Sequence, residues 1–408
     1  LDCRVQRVNE LLGIALSAEE TAGYLRSIEF EVVDSGAGVL RVTVPSFRVD
    51  IEREVDLVEE IARMVGYNEI PASQPVISMD YPLRDPLRLL RQESSSILTA
   101  QGFFEAINYS FVAQEHADML GLDADDFRRQ YVKLLNPLTE DQAVMRTMLL
   151  PGMLENTRRN INFQQTDIRL FEIGKVFTPV AEGVQPRERY QLCAVVSGAR
   201  YPGASPLYFS DDRADIFDIK GLAEILLQTL RVQGKSGAIR FSVESDHVQP
   251  YADGACSLSI MDGAQRLGCL GKLSRSAARS FAIKQDVFFL ELDLEALLDL
   301  PRQEKAFHPL PRYPSVKRDI ALLVPEHVSA GDLLDDICTH KIEHVAYADI
   351  FDVYSGTSIE DGMKSVALTV TYRSAEGTLD DVTVDGFHKK IVDSLMSRFH
   401  GRYREGKE

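Results

Sequence analysis

Four carboxylates around one helix start are the residues best placed to do chemistry in this chain. Asp56, Glu59 and Glu60 stand at i, i+3 and i+4, so a helix there turns all three to one face, beside the incoming Asp50. An all-oxygen set of this kind suits a hard cation such as Mg²⁺, which prefers carboxylates and retained water to nitrogen or sulfur. The same acids also complement a helix dipole in its first turn, and Glu59 can pair with Arg63 at i+4. Spacing alone leaves metal ligation and a solvated acidic face both open.

Other candidate chemistries are weaker. Six of the eight histidines fall in the last 101 residues, at His308, His327, His340, His344, His388 and His400. Only His340 and His344 have the spacing of a pair on one helix face, and the segment around them is a poor helix, so scattered surface groups are expected. Neither a Gly-x-Gly-x-x-Gly nor a phosphate-loop Lys-Ser/Thr signature occurs, and Gly268-Cys-Leu-Gly-Lys-Leu has the wrong spacing. The five cysteines, Cys3, Cys193, Cys256, Cys269 and Cys338, are odd in number and contain no Cys-x-x-Cys pair, which suggests neither a disulfide framework nor zinc and fits a reducing cytoplasm.

Near the C-terminus, Arg312-Tyr-Pro-Ser-Val-Lys-Arg-Asp and Lys389, Lys390, Arg398, Arg402, Tyr403 and Arg404 interleave basic residues with tyrosine, as single-stranded RNA sites do. Residues 308–408 nevertheless hold 12 Lys and Arg against 17 Asp and Glu. The whole chain, with 62 acidic and 45 basic residues, has a net charge of −17. A blanket positive field for nucleic acid is excluded, and any RNA contact must be local. The first 75 residues carry 7 basic and 14 acidic side chains, which argues against a nucleic-acid-binding regulator built on that unit, even one shaped like a winged helix.

The elements that must position these groups read as several domains, since 408 residues exceed one ordinary core. Ser17, followed three residues later by Glu20, opens a helix as a capping box. Alternating runs Phe30 to Val33 and Val39 to Val44 form a hairpin, and Glu54 to Val65 forms a second helix with Val55, Val58, Ile61, Ala62 and Val65 on its apolar stripe and Gly66 past its end. Four prolines between Pro71 and Pro86 mark a linker. The middle mixes helices (Leu87 to Ala100, Pro151 to Ile161, Lys220 to Leu230) with strands (Phe103 to Val112, Ile168 to Phe177, Gln191 to Ser197, Val287 to Leu292), favouring an antiparallel or mixed sheet with flanking helices. After Pro301, Pro309, Pro311 and Pro314, the order strand (Ile320 to Val324), helix (Ser329 to Ile337), two strands (Val345 to Tyr354, Lys364 to Tyr372) and helix (Val384 to Phe399) is the ferredoxin-like split βαβ. No apolar run nears the ~20 residues of a membrane span. The chain starts at Leu1 with charges through its first twenty residues, which reads as a fragment or processed piece without an export signal.

Six phrases make the pattern specific. Asn9-Glu-Leu-Leu-Gly, the run Val49-Asp-Ile-Glu-Arg-Glu-Val-Asp-Leu-Val-Glu-Glu-Ile-Ala-Arg-Met-Val-Gly-Tyr-Asn-Glu-Ile-Pro, Leu135-Asn-Pro-Leu, Phe171-Glu-Ile-Gly-Lys-Val-Phe, Phe217-Asp-Ile-Lys-Gly and Tyr313-Pro-Ser-Val-Lys-Arg-Asp-Ile-Ala resemble, in order and over about 320 residues, the C-terminal half of the bacterial phenylalanyl-tRNA synthetase β subunit. The resemblance implies an α+β chain of three domains: a small metal-contacting, winged-helix-like unit at 1–72, a class II catalytic-like module with an antiparallel sheet at 87–300, and a ferredoxin-fold anticodon-binding domain at 308–401. It puts Asp50, Asp56, Glu59 and Glu60 on the positions that bind Mg²⁺ at the contact with the α subunit, and implies a cytoplasmic (αβ)₂ assembly that attaches phenylalanine to tRNA(Phe) with ATP. Arg318, Lys389 and Lys390 are the expected tRNA contacts.

A working class II site is expected to continue past Phe177 with an Arg that clamps the ATP α-phosphate, yet Thr178-Pro179-Val180 follows. Thr has no guanidinium fork, so the module is expected to be a scaffold rather than a self-sufficient enzyme. The family's N-terminal tRNA-binding region and editing domain have no counterpart in this sequence, so no proofreading is expected of it.

Overall fold

The computed structural model describes residues 1–73, 81, 83–137, 139–181, 183–205, 207–243, 248–307, 309–339, 342–356 and 359–403. His308, His340, Arg404, Leu138 and much of the expected 71–86 linker lie outside the described residues. Contacts divide the chain into two compact units, Leu1–Gln92 and Glu93–Glu408.

The first unit runs β1 (Asp2–Arg4), α1 (Val5–Leu12), α2 (Ala18–Ser27), β2 (Glu31–Asp34), β3 (Val39–Thr43) and α3 (Glu54–Val65), with the antiparallel strands in the order β1-β3-β2. The capping box forms as read: the Glu20 N–H donates to Ser17 Oγ at 3.2 Å, and the Ser17 N–H donates to Glu20 Oε2 at 2.8 Å. Three consecutive left-handed residues, Gly36, Ala37 and Gly38, turn the hairpin, a conformation glycine adopts without Cβ strain. Two elements escaped the sequence reading. β1 is three residues long and α1 eight, too short for periodicity to register, and they are held by burial of Cys3 and Val8 against Leu25, Leu40, Leu57 and Ile61. The stripe of α3 is shifted from the expected one: Leu57, Val58, Ile61 and Ala62 are buried, whereas Val55 is exposed.

In the second unit the order is α4 (Pro86–Ala100, which begins in the first unit), β4 (Phe104–Glu105), β5 (Phe111–Val112), α5 (His116–Met119), β6 (Val144–Met145), α6 (Leu150–Asn162), β7 (Ile168–Thr178), β8 (Arg187–Ser197), α7 (Ile216–Thr229), β9 (Arg240–Ser242), β10 (Ala252–Asp262), β11 (Gln265–Leu273), α8 (Arg275–Ser280), β12 (Val287–Asp293) and α9 (Leu294–Leu298). Seven strands form one sheet, β4-β7-β8-β12-β11-β10-β9, antiparallel except for the parallel β4/β7 edge. Alternation along the strands turns Val195 and Phe289 to one face, where Met153 and Leu154 of α6 cover them, and Ala194, Val196 and Leu290 to the other, where α7 packs.

The expected strand Phe103 to Val112 is two short ones, and β5 leaves the main sheet to pair with β6. β9 to β11 were not anticipated. β10 and β11 are rich in Gly, Ser, Ala and Cys and lack β-branched alternation, so neighbours decide them. A Cβ on Gly268 of β11 would stand 2.1 Å from the Glu291 carbonyl oxygen, so only glycine lets β11 and β12 approach this closely.

The C-terminal part has β13 (Val316–Pro325), α10 (Ala330–Thr339), β14 (Val345–Tyr354), β15 (Met363–Tyr372), α11 (Asp381–Phe399) and β16 (Arg402–Tyr403), with strand order β14-β15-β13-β16. The short β16 adds a strand to the five elements read from sequence and gives the ferredoxin-like βαββαβ order. Ile320, Leu322, Val324, Val366, Leu368 and Val370 form its core with Leu333, Ile337, Ile391 and Leu395 of the two helices.

Candidate functional site

At the start of α3 and in the chain entering it, Arg48 joins Asp50 to Glu60, while Asp56 turns instead to the backbone N–H groups before the helix. Asp56 is the third residue of α3, and its Oδ2 accepts the Arg53 N–H at 2.7 Å and the Glu52 N–H at 3.0 Å, satisfying amides the helix cannot pair. Those N–H groups, Glu52 first, hold the Asp56 carboxyl below the usual carboxylate range. One turn on, Glu60 is only 8% exposed. Arg48 bridges it to Asp50: Nη2 donates to Glu60 Oε1 at 2.8 Å and to Asp50 Oδ2 at 2.6 Å, while Nε donates to Asp50 Oδ1 at 2.9 Å. Arg63 takes the other Glu60 oxygen. The expected Glu59–Arg63 pair is therefore a Glu60–Arg63 pair at i+3, and Glu59 is exposed with no ion pair among the described residues. Hydrogen bonds from Arg48 hold Asp50 down to about 2 and lower Glu60 as well, against the opposing effect of burial.

The donor set suits a hard cation: all oxygen, with Asp50 and Glu59 open to solvent. The arrangement does not yet present it as a ligand shell. Among the described residues no three His, Cys, Asp or Glu side chains are gathered round one point. The guanidinium of Arg48, over the Phe30 ring at 5.7 Å, stands between Asp50 and Glu60. Beside the locus the chain exposes Phe47, Val49 at 83%, Val55 and Tyr67, apolar groups that gain from being covered.

Across the seven-stranded sheet, strand register lines up Glu172 of β7, Cys193 of β8, Glu291 of β12 and Cys269 of β11 in one row. Arg146 Nη1 donates to Glu172 Oε1 at 2.5 Å with both side chains buried, Arg146 Nε donates to the Lys175 carbonyl at 2.9 Å, and Asn108 Nδ2 donates to Glu172 Oε2 at 2.7 Å. The guanidinium lies so close over β7 that a Cβ on Gly174 would meet Arg146 Nη2 at 2.2 Å. Further along the row, Tyr251 donates to Glu291 Oε2 at 2.5 Å, and Arg128 reaches Gln249 at 2.6 Å. Burial pushes the Glu291 carboxyl up. Glu172, Cys193 and Cys269 of this row are thus buried, with Glu172 paired to Arg146 and Glu291 bonded to the Tyr251 hydroxyl. Thr178, where the phosphate-clamping Arg was sought, ends β7 opposite Arg187 in the β7/β8 hairpin. Sequence reasoning passed over Arg146, Glu172 and Glu291; the available signal was a lone charge inside each apolar run, since buried charges demand partners.

In the C-terminal part, Arg318 donates to Asp381 at 2.7 Å and Asp385 at 3.1 Å on α11, which consumes its charge internally. Lys389 and Lys390 are exposed on the same helix, and Lys390 Nζ lies 5.5 Å from the Phe387 ring centroid. All three expected tRNA contacts therefore sit on the helical side of the sheet. Arg398 is engaged by Asp336 and Arg402 by Glu360.

Comparison with known proteins finds three families along the chain. The family described as tRNA synthetase B5 domain matches residues 1–67, phenylalanyl tRNA synthetase beta chain CLM domain matches residues 70–294, and ferredoxin-fold anticodon binding domain matches residues 311–404. The chain belongs to the phenylalanyl-tRNA synthetase β-chain family. Among curated relatives of this β chain, the phenylalanine–tRNA ligase beta subunit of Desulfotalea psychrophila is 45% identical over 406 residues, covering 98% of this chain and 50% of that protein. Its counterpart in Geobacter sulfurreducens is 38% identical over 405 residues, with 98% and 49% covered. The chain spans about half the length of the curated relatives it matches. A solved pyrrolysyl-tRNA synthetase from Desulfitobacterium hafniense is similar at a TM-score of 0.40 and 19% identity over 52% of this chain and 67% of that one, too slight a likeness to build on. No helix among the described residues is long and apolar enough to cross a membrane.

Proposed function

We propose that this β chain acts as a non-catalytic scaffold in a phenylalanine–tRNA ligase, docking the catalytic α subunit in a cytoplasmic (αβ)₂ assembly and helping to place tRNA(Phe). The observation that carries this is the covered face of the seven-stranded sheet. A site for ATP and phenylalanine needs charges aimed at substrate, and here Arg146 and Glu172 satisfy each other. Working units at 1–72, 87–300 and 308–401 divide the labour.

The first unit supplies the α contact. Asp50, Asp56, Glu59 and Glu60 are the carboxylates that would hold Mg²⁺ there, and the exposed Phe47, Val49 and Tyr67 give apolar area for the partner. In the C-terminal unit, Lys389 and Lys390 offer ammonium groups to RNA phosphate, with Arg318 behind them ordering the start of α11.

Mixing the chain with the family's α subunit and measuring assembly mass with and without Mg²⁺ tests this reading, a Mg²⁺-dependent α–β complex being expected. Adenylate formation by the chain alone in pyrophosphate exchange would favour a self-sufficient class II enzyme instead.

A further inference from the structure

At its β11 end the buried row of the seven-stranded sheet meets an open cleft of about 230 Å³, lined in part by Cys269. It lies three strands away from β7, where a phosphate-clamping Arg was sought. Ser257 and Ser259 stand two residues apart on β10, opposite Gly271 and Cys269 of β11, so both side chains fall on the face that lines the cleft. Ser259 is only 3% exposed. A hydroxyl taken out of water is expected to have a partner, yet among the described residues neither serine side chain makes a hydrogen bond, which leaves two donors at the cleft wall.

The charge around those hydroxyls favours an anion. Arg266, exposed on β11, lines the cleft and makes no ion pair among the described residues; its Nε meets the Gly268 carbonyl at a long 3.4 Å. Arg128, although paired with Asp126, reaches the same wall, where its Nη1 donates to Gln249 Oε1 at 2.6 Å. Glu291, beside Cys269 on β12, is the carboxyl whose charge would oppose an anion, but burial pushes it up toward its neutral form against the Tyr251 hydrogen bond. A guanidinium with no acid of its own and two hydroxyl donors is a donor set for an oxyanion with several oxygens to satisfy.

We propose that this cleft binds a phosphate group, the Arg266 guanidinium supplying the charge and the Ser257 and Ser259 hydroxyls donating to its oxygens. Such a site goes beyond the scaffold role and needs neither the α subunit nor tRNA.

Titration of the 408-residue chain with inorganic phosphate, read by isothermal titration calorimetry in low chloride, is expected to show one saturable site. Ser259→Ala, which removes a hydroxyl and adds no bulk, is expected to weaken binding about three-fold, and Arg266→Met by about ten-fold or more. Arg275→Met with Arg279→Met, which removes two exposed cations of α8, is expected to leave the affinity unchanged. Failure of the wild-type chain to saturate by about 20 mM phosphate overturns the site, as does binding by a folded Arg266→Met equal to wild type. Equal losses in the α8 and Arg266 variants would mark a general surface field and overturn it as well. Should Arg266→Met fail to fold by circular dichroism, Ser259→Ala decides, an unchanged affinity refuting the assignment.

Discussion

Arg146→Met probes whether the covered sheet face is a structural device. The Arg146 and Glu172 side chains are 7% and 4% exposed, and their contact is 2.5 Å. With Arg146 shortened to an apolar side chain, Glu172 keeps only the Asn108 amide donors, at 2.7 Å from Nδ2 and 3.4 Å from the backbone N–H. Breaking a buried pair by removing one partner costs about 3–5 kcal/mol, since the remaining charge stays buried and uncompensated. For a domain of 150–250 residues each kcal/mol moves the melting temperature by about 2–4 °C, so a drop of roughly 6–20 °C is expected. Differential scanning calorimetry of the full chain is the suitable assay, because several transitions are expected of a multidomain protein and the affected one must be followed by itself. The double variant Arg146→Met with Glu172→Met removes both charges and is expected to recover most of the loss, giving a strong non-additive coupling. Additive single effects, each under about 1 kcal/mol, would show that the pair is solvated and the face open, and the scaffold argument would fall with it.

Three further outcomes follow from the geometry. The lowered carboxyls of Asp50, Asp56 and Glu60 contribute stability that is present above the ordinary carboxylate range and lost as pH falls through their folded values, so the first unit is expected to weaken below about pH 4, with Asp50 titrating near 2 in carbon-detected NMR; an ordinary midpoint near ~3.9 removes the Arg48 contact. Ser17→Ala removes the cap of α2 and is expected to cost about 0.5–2 kcal/mol in thermal unfolding of the first unit, an unchanged transition counting against the cap. Lys389→Ala with Lys390→Ala is expected to weaken tRNA binding with a salt slope shallower by about 2, and unchanged affinity would take both lysines out of the contact.

Elements whose stability is local were legible in sequence; elements stabilised only by neighbours were not. α2 and α3 carry their own caps and stripes, and Ile168 to Phe177 has the alternation and length of a strand, so each was placed within a few residues. β10 and β11 have little preference of their own and exist because β12 stands beside them, with Gly268 admitting the close approach. The candidate locus divides the same way. That Asp56 and Glu60 share a helix follows from their spacing, but Arg48 lies twelve residues before Glu60 in an irregular connection, and no periodicity links a loop guanidinium to a helix carboxylate.

The spending of charge separates the two acidic regions of this chain. On the seven-stranded sheet the Glu172 carboxylate meets an arginine and an asparagine from the chain itself, both locked by packing, so exchange with an outside ligand means breaking a buried network. At the start of α3 the cation that satisfies Asp50 is a long side chain on a connection, and Asp50 itself faces water, so exchange costs a rotamer and a partly screened pair. On the reading proposed above, binding belongs to the first unit and rigidity to the middle of the chain, the division of labour that a scaffold for another subunit's chemistry requires.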